Sequence, residues 1–179
     1  MNIFSLYLNK TIHKRRRMKI LLLLFLFPLV ALSGPSRLDI IKFAKKHHFF
    51  NPRLLAAIAE KESSLNQYAL VREADGDYSW GLMQIKESTV RMLGFKQNYS
   101  LLFNWRINLK LAMRYLNWQF KRYGANRFDI VAAYNAGSVI KCTREFYWST
   151  ISGRRIKFPC TRGSYINQQH VDGVMSFYQ

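Results

Sequence analysis

The sequence predicts a mainly α-helical single domain of about six helices, with at most a small β-hairpin. Three observations lead there. The 179 residues are 49% hydrophobic and 15% aromatic, enough apolar material for one packed core and too much for a disordered chain. Apolar residues recur at helical spacing, above all from Trp105 to Tyr123. Glycines and an Asn-Pro pair stand where those periodic stretches begin and stop.

Residues 1–33 stand apart. Ile20 to Leu32 is an apolar run of 13 residues broken by Pro28 and preceded by Lys14-Arg15-Arg16-Arg17 and Lys19. A bilayer-spanning helix needs about 20 apolar residues. A basic start, a short apolar run and the small-residue stretch Ala31-Leu32-Ser33 instead make a secretory signal peptide. Cleavage after Ser33 would leave residues 34–179 as the mature domain, in the periplasm or secreted. A retained anchor is the alternative, and Met18 is a second candidate start. Export would make the membrane only a transient partner.

The next segments follow in order. Arg37 to His48 carries Leu38, Ile41, Phe43 and Ala44 at roughly helical spacing. Asn51-Pro52 supplies a cap and a first-turn proline for a helix running to about Ser63. Asp75-Gly76-Asp77 marks a turn, and Tyr78 to Ile85 a short extended or hairpin piece. Lys86 to Leu93 reads as a short helix ending at Gly94.

Trp105 to Tyr123 is expected to be the central core helix, with Ile107, Leu111, Tyr115, Trp118 and Arg122 on one stripe and Leu109, Ala112, Met113, Leu116 and Phe120 broadening it. Gly124 ends it. Phe128 to Ala136 forms another helix before Gly137. Residues 138–163, basic and aromatic, read as an irregular insertion, and Tyr165 to Tyr178 as a closing helix.

The formal charge is +18. Setting aside the six Lys and Arg of residues 1–33 leaves 22 basic against 10 acidic residues, a net of +12. That balance favours polyanionic surroundings. The cations are scattered, with no aromatic-basic motif, so nucleic acid is not expected as a partner. Cys142 and Cys160 could close a loop of 17 intervening residues in an oxidising compartment, contributing roughly 3 kcal/mol; two free thiols are the alternative. No CxxC or HxxxH pair stands near either cysteine, so neither metal nor cofactor is expected.

The chemistry lies in AAIAEKESSLN, Ala56 to Asn66. At 100° per residue, Leu55, Ile58 and Glu62 fall within an arc of about 60°, whereas Glu60 sits about 140° from Leu55. Glu62 therefore lies on the apolar side near the helix end, and Glu60 is a surface charge. Burial raises a carboxyl's pKa, and a glutamate protonated near neutrality serves as a general acid. A buried structural glutamate satisfied by a backbone or arginine partner, or one that emerges at the helix end, has the same spacing.

Three stretches separate those readings: ESSLN from Glu62, GLMQI from Gly81 and AYNAG from Ala133. In this order they resemble the soluble lytic transglycosylase domain, a lysozyme-like fold that cleaves peptidoglycan. The resemblance covers roughly Ser36 to Tyr178. It implies Glu62 as the single catalytic acid and then base, with Ser63, Met83, Gln84, Tyr134 and Asn135 around the substrate, and Tyr165 as a further cleft tyrosine. The matching aspartate of chicken-type lysozymes would stand at Ser79; Asp77 is the nearest candidate acid and also a natural turn residue.

With one carboxylate, the resemblance implies a lytic transglycosylase. Glu62 would protonate the oxygen between N-acetylmuramic acid and N-acetylglucosamine, then accept the proton of the C6 hydroxyl as a 1,6-anhydro ring closes. The alternatives are a hydrolytic muramidase using Asp77, or a non-catalytic basic wall-binding module. The implied partner is the peptidoglycan glycan strand, in wall turnover or beside a secretion, conjugation or pilus apparatus. Arg154, Arg155 and Lys157 of the insertion are expected to face anionic glycan from a disulfide-closed flap.

Overall fold

Asn51 opens the helix on which the domain is organised. In the computed structural model, which describes residues 34–151 and 154–179, Asn51 Oδ1 accepts the Leu54 N–H at 3.1 Å and Pro52 begins helix α2, Pro52–Ser63. Six consecutive residues of this helix, Leu54 to Ala59, are fully buried. The alanines at 56, 57 and 59 let neighbours approach on several sides, so α2 is the central helix. The segment expected to be central, α4 at Trp105–Tyr123, is instead amphipathic: Leu109, Ala112 and Leu116 are buried while Trp118 and Phe120 reach solvent.

Helix α1, Arg37–Lys46, opens on a capping box in which Ser36 and Asp39 satisfy each other's N–H groups. It buries Ile40 and Ala44 rather than Leu38, which is exposed. The turn after α2 leads into an antiparallel sheet of β1 Leu70–Arg72, β2 Tyr78–Trp80 and β3 Ile85–Lys86, with Val71 opposite Ser79 and Trp80 opposite Ile85. Helix α3, Glu87–Met92, and a 3₁₀ turn at Tyr99–Phe103 connect to α4. Helices α5, Arg127–Ala136, and α6, Gln168–Phe177, complete the body; α1 and α6 pack on α2, and α5 packs on α4 and α6. Among the described residues six α-helices make the domain mainly α, with a small sheet beside a cleft.

The insertion is more regular than expected. Residues Phe146–Ile151 (β4) and Arg154–Pro159 (β5) form an antiparallel ribbon with Trp148 opposite Lys157 and Thr150 opposite Arg155. A Cys142–Cys160 disulfide closes its root. β5 is almost wholly exposed, so no apolar-polar alternation marks the strand in sequence. Aromatic and β-branched residues in β4 supply its strand preference. The leader, its cleavage after Ser33 and the start at Met18 lie outside the described residues.

Candidate active site

Helix α2 ends in strained backbone. Ser64 and Leu65 both adopt positive φ, 52° and 65°, a conformation costly for side chains other than glycine. Ser63 holds this end in place, its hydroxyl donating to the Leu82 carbonyl at 2.7 Å. The bond ties the residue after Glu62 to the GLMQ stretch.

That stretch is clamped from α4 by Asn108, a fully buried polar side chain. Asn108 Oδ1 accepts the Met83 N–H at 2.9 Å, and its Nδ2 donates to the Trp80 and Leu102 carbonyls at 2.9 and 3.1 Å. Gly81 adopts φ 71°, and a Cβ there would sit 2.3 Å from the Leu102 oxygen, so the clamp requires glycine. Gln84 follows with φ 44°, and its Nε2 donates to the Gly81 carbonyl at 2.8 Å. The clamp thereby turns Gln84 toward the cleft while Met83 is buried in the core.

The cleft is a cavity of about 480 Å³. It brings together Glu62, Gln84, Tyr134 and Asn135 from ESSLN, GLMQI and AYNAG, and adds Glu73, Ser79 and Tyr115. Burial, with the Glu73 charge second, pushes the Glu62 carboxyl up to about 8, against the opposing pull of Lys61. Tyr134 donates its hydroxyl to the Met83 carbonyl at 2.8 Å, bracing α5 against the clamp. Its pKa is driven well above the ordinary tyrosine value by burial and then by the Glu62 charge. Asn135 Oδ1 accepts from Asn167 Nδ2 at 3.0 Å.

Three expected site residues lie off the cavity wall. Ser63 and Met83 act behind it, as described. Tyr165 donates to Asp129 at 2.5 Å, with Lys141 over its ring, at the base of the insertion. Asp77 is also turned away: its carboxylate accepts the Tyr78 and Ser88 N–H groups and caps α3. Glu60 pairs with Arg37.

Two residues of the site escaped the sequence reading. Glu73 faces the cavity, and the Ser79 hydroxyl donates to it. His170 of α6 stands beside Glu62. Neither lies in a recognisable motif, and only the pairing of β1 with β2 and the docking of α6 on α2 bring them in. Among the described residues, no group of three or more His, Cys, Asp or Glu gathers to hold a metal ion. What the arrangement offers is a proton held on a carboxyl at the wall of an open cleft.

The sequence profile of the transglycosylase SLT domain matches residues 39–148. Protein IpgF of Shigella sonnei is 34% identical over 95 residues, 51% of this chain and 61% of that protein; the Shigella flexneri counterpart matches over the same extent. The chain therefore spans less than two thirds of the length of these relatives. Among solved structures, the 70 kDa soluble lytic transglycosylase of Escherichia coli is 30% identical at a TM-score of 0.45, covering 55% of this chain and 16% of that one. The profile match takes in well over half of the chain and its ESSLN, GLMQI and AYNAG stretches, and the chain belongs to the transglycosylase SLT domain family.

Proposed function

We propose that the protein is a peptidoglycan lytic transglycosylase that cleaves the β-1,4 bond between N-acetylmuramic acid and N-acetylglucosamine. The observation that carries this reading is the Glu62 carboxyl, pushed up to about 8 at the wall of the cleft. At neutral pH such a group holds a proton and can deliver it to the glycosidic oxygen. Family membership supplies the substrate class.

The reaction proceeds in two proton movements. Glu62 protonates the glycosidic oxygen, the C1–O bond breaks with its electron pair going to that oxygen, and positive charge builds at C1. The C6 hydroxyl of the same sugar then attacks C1, and its proton returns to Glu62. The product carries a 1,6-anhydro ring and the acid is regenerated. Gln84 offers its amide oxygen and Asn135 its amide nitrogen to the glycan in the cleft, since their other amide atoms are held within the fold, and Tyr134 keeps the clamp and α5 in register.

The setting is the cell wall outside the cytoplasmic membrane, reached by export. The Cys142–Cys160 disulfide fits an oxidising compartment. The domain would open the glycan network locally, for general turnover or beside a secretion, conjugation or pilus apparatus.

The test is mass spectrometry of soluble products from purified peptidoglycan, with Glu62→Gln as control. Products lighter by one water than the corresponding hydrolysed muropeptides, absent with the control, are expected. Reducing-end products would make water the acceptor and refute ring closure.

A further inference from the structure

Glu73 lines the cleft with a hydroxyl, not a cation, as its side-chain partner. Its backbone is set by the β1–β2 turn: the Glu73 N–H donates to the Asp77 carbonyl at 2.9 Å, and the Gly76 N–H donates to the Glu73 carbonyl at 3.0 Å. The two aspartates of that turn are used elsewhere, Asp75 on Lys86 at 3.0 Å and Asp77 on the start of α3. Glu73 is the acid left facing the cavity. Its contact there is the hydroxyl of Ser79, directly across from Val71 in the β1–β2 ladder. Among the described residues no Lys, Arg or His lies within ion-pair distance of it. Lys86, also on the cavity wall, is engaged with Asp75.

A carboxylate oriented by a buried hydroxyl and unpaired with a cation lines the cavity that holds the proton donor. Its charge also opposes ionisation of Glu62. Ser79 stands where a second acid would be sought from the sequence. The serine is buried and instead carries an acid projected from the neighbouring strand's end.

Resting on the transglycosylase reading above, we infer that Glu73, held by Ser79, is a second catalytic carboxylate that counters the positive charge at C1 as Glu62 gives up its proton. No bond to Glu73 is required. The C1–O electron pair leaves with the protonated oxygen, the cationic centre faces the carboxylate, and the C6 hydroxyl closes the ring with its proton going to Glu62. Preoriented charge of this kind acts where charge develops in the transition state. Fully developed two-carboxylate clefts occur widely in glycoside-cleaving enzymes. The groups facing Glu62 are Lys61 on its own helix, Glu73 and Ser79 from the sheet, Tyr134 from α5 and His170 from α6. Of these, Glu73 is the acid.

The experiment compares the mature protein with Glu73→Gln and Ser79→Ala. Two readouts are taken: turnover of purified peptidoglycan across pH, and infrared titration of the Glu62 carboxyl, assigned by its loss in Glu62→Gln. Glu73→Gln is expected to lower kcat at least tenfold, on the order of the loss of one preorganised group, with KM changed less than about twofold. It should also move the alkaline limb and the Glu62 titration to lower pH. Ser79→Ala should move both in the same direction by less. A Glu73→Gln protein with unchanged kcat and unchanged Glu62 titration would overturn the inference. If the wild-type protein releases no product, the transglycosylase reading fails; the titration then decides separately whether Glu73 faces Glu62. Thermal melting of each variant identifies loss of fold, and Glu73→Ala, which also removes the charge, replaces Glu73→Gln if the latter does not fold.

Discussion

His170 places its Nε2 3.5 Å from Oε1 of Glu62, and both side chains are 14% exposed. The imidazole nitrogen has no hydrogen-bond partner. Burial and the nearby Lys61 charge push His170 down to about 4, while burial and Glu73 push Glu62 up to about 8. Near neutral pH the contact is therefore between a neutral imidazole and a protonated carboxyl.

This fixes the direction of the activity profile. Glu62 must be protonated to act as an acid, so turnover of peptidoglycan should hold through neutral pH and fall as pH rises through about 8. Initial rates from acidic to alkaline pH measure it. A fall centred near the ordinary glutamate value of 4.5 would show that Glu62 is not the protonated acid.

Stability should respond to the same pair. Glu62 keeps a proton that the unfolded chain releases, so between pH 4.5 and 8 its contribution falls as pH rises. His170 refuses a proton that the unfolded chain accepts, so between pH 6.5 and 4 its contribution falls as pH drops. The two oppose each other from 4.5 to 6.5, leaving the Glu62 loss alone from 6.5 to 8, at about 1.4 kcal/mol per pH unit. Urea midpoints should decline over that upper interval, and Glu62→Gln should flatten the decline. An equal decline in the variant would assign it to other groups.

The Asn108 clamp should prove costly to break. Asn108→Ala would leave the buried Met83 N–H without its partner and remove the bonds to the Trp80 and Leu102 carbonyls, a loss of about 3 kcal/mol. Gly81→Ala, with its Cβ pressed on the Leu102 oxygen, should cost on the order of 3 kcal/mol as well. Chemical denaturation gives both values. Because the clamp sets the backbone of Gln84, surviving folded protein should also show reduced turnover.

The β4–β5 ribbon carries its own expectation. Arg155 lies over the Trp148 ring at 5.0 Å and Lys157 over the Phe146 ring at 3.9 Å, both on one face. Replacing Arg154, Arg155 and Lys157 by serine should weaken cosedimentation with purified peptidoglycan, most clearly at low salt. Unchanged binding would remove the ribbon from wall recognition. Replacing Cys142 and Cys160 by serine should cost about 3 kcal/mol of stability.

Much of this architecture is legible along the chain because its causes are local. Asn51-Pro52 starts α2, the bounds of the Trp105–Tyr123 periodicity are those of α4 although Trp118 and Phe120 of its expected apolar face reach solvent, and Gly124 and Gly137 stop two helices. The ribbon within 138–163 was not legible, since β5, almost wholly exposed, carries no burial alternation. Nor was the centrality of α2, which depends on small alanines being covered from several directions.

The sequence by itself determined the helical class, the placing of Glu62 on the apolar side of α2, and the set of stretches that converge on the cleft. Spacing along one helix is enough for the first two. The tertiary structure decided what is built around that carboxyl: Glu73 through the pairing of β1 with β2, His170 through the docking of α6, and behind the cleft the Asn108 clamp through the packing of α4 on the Gly81 turn. Charge, desolvation and hydrogen bonding act across distances of a few ångströms in space, and for these residues such distances exist only once separate elements have packed together.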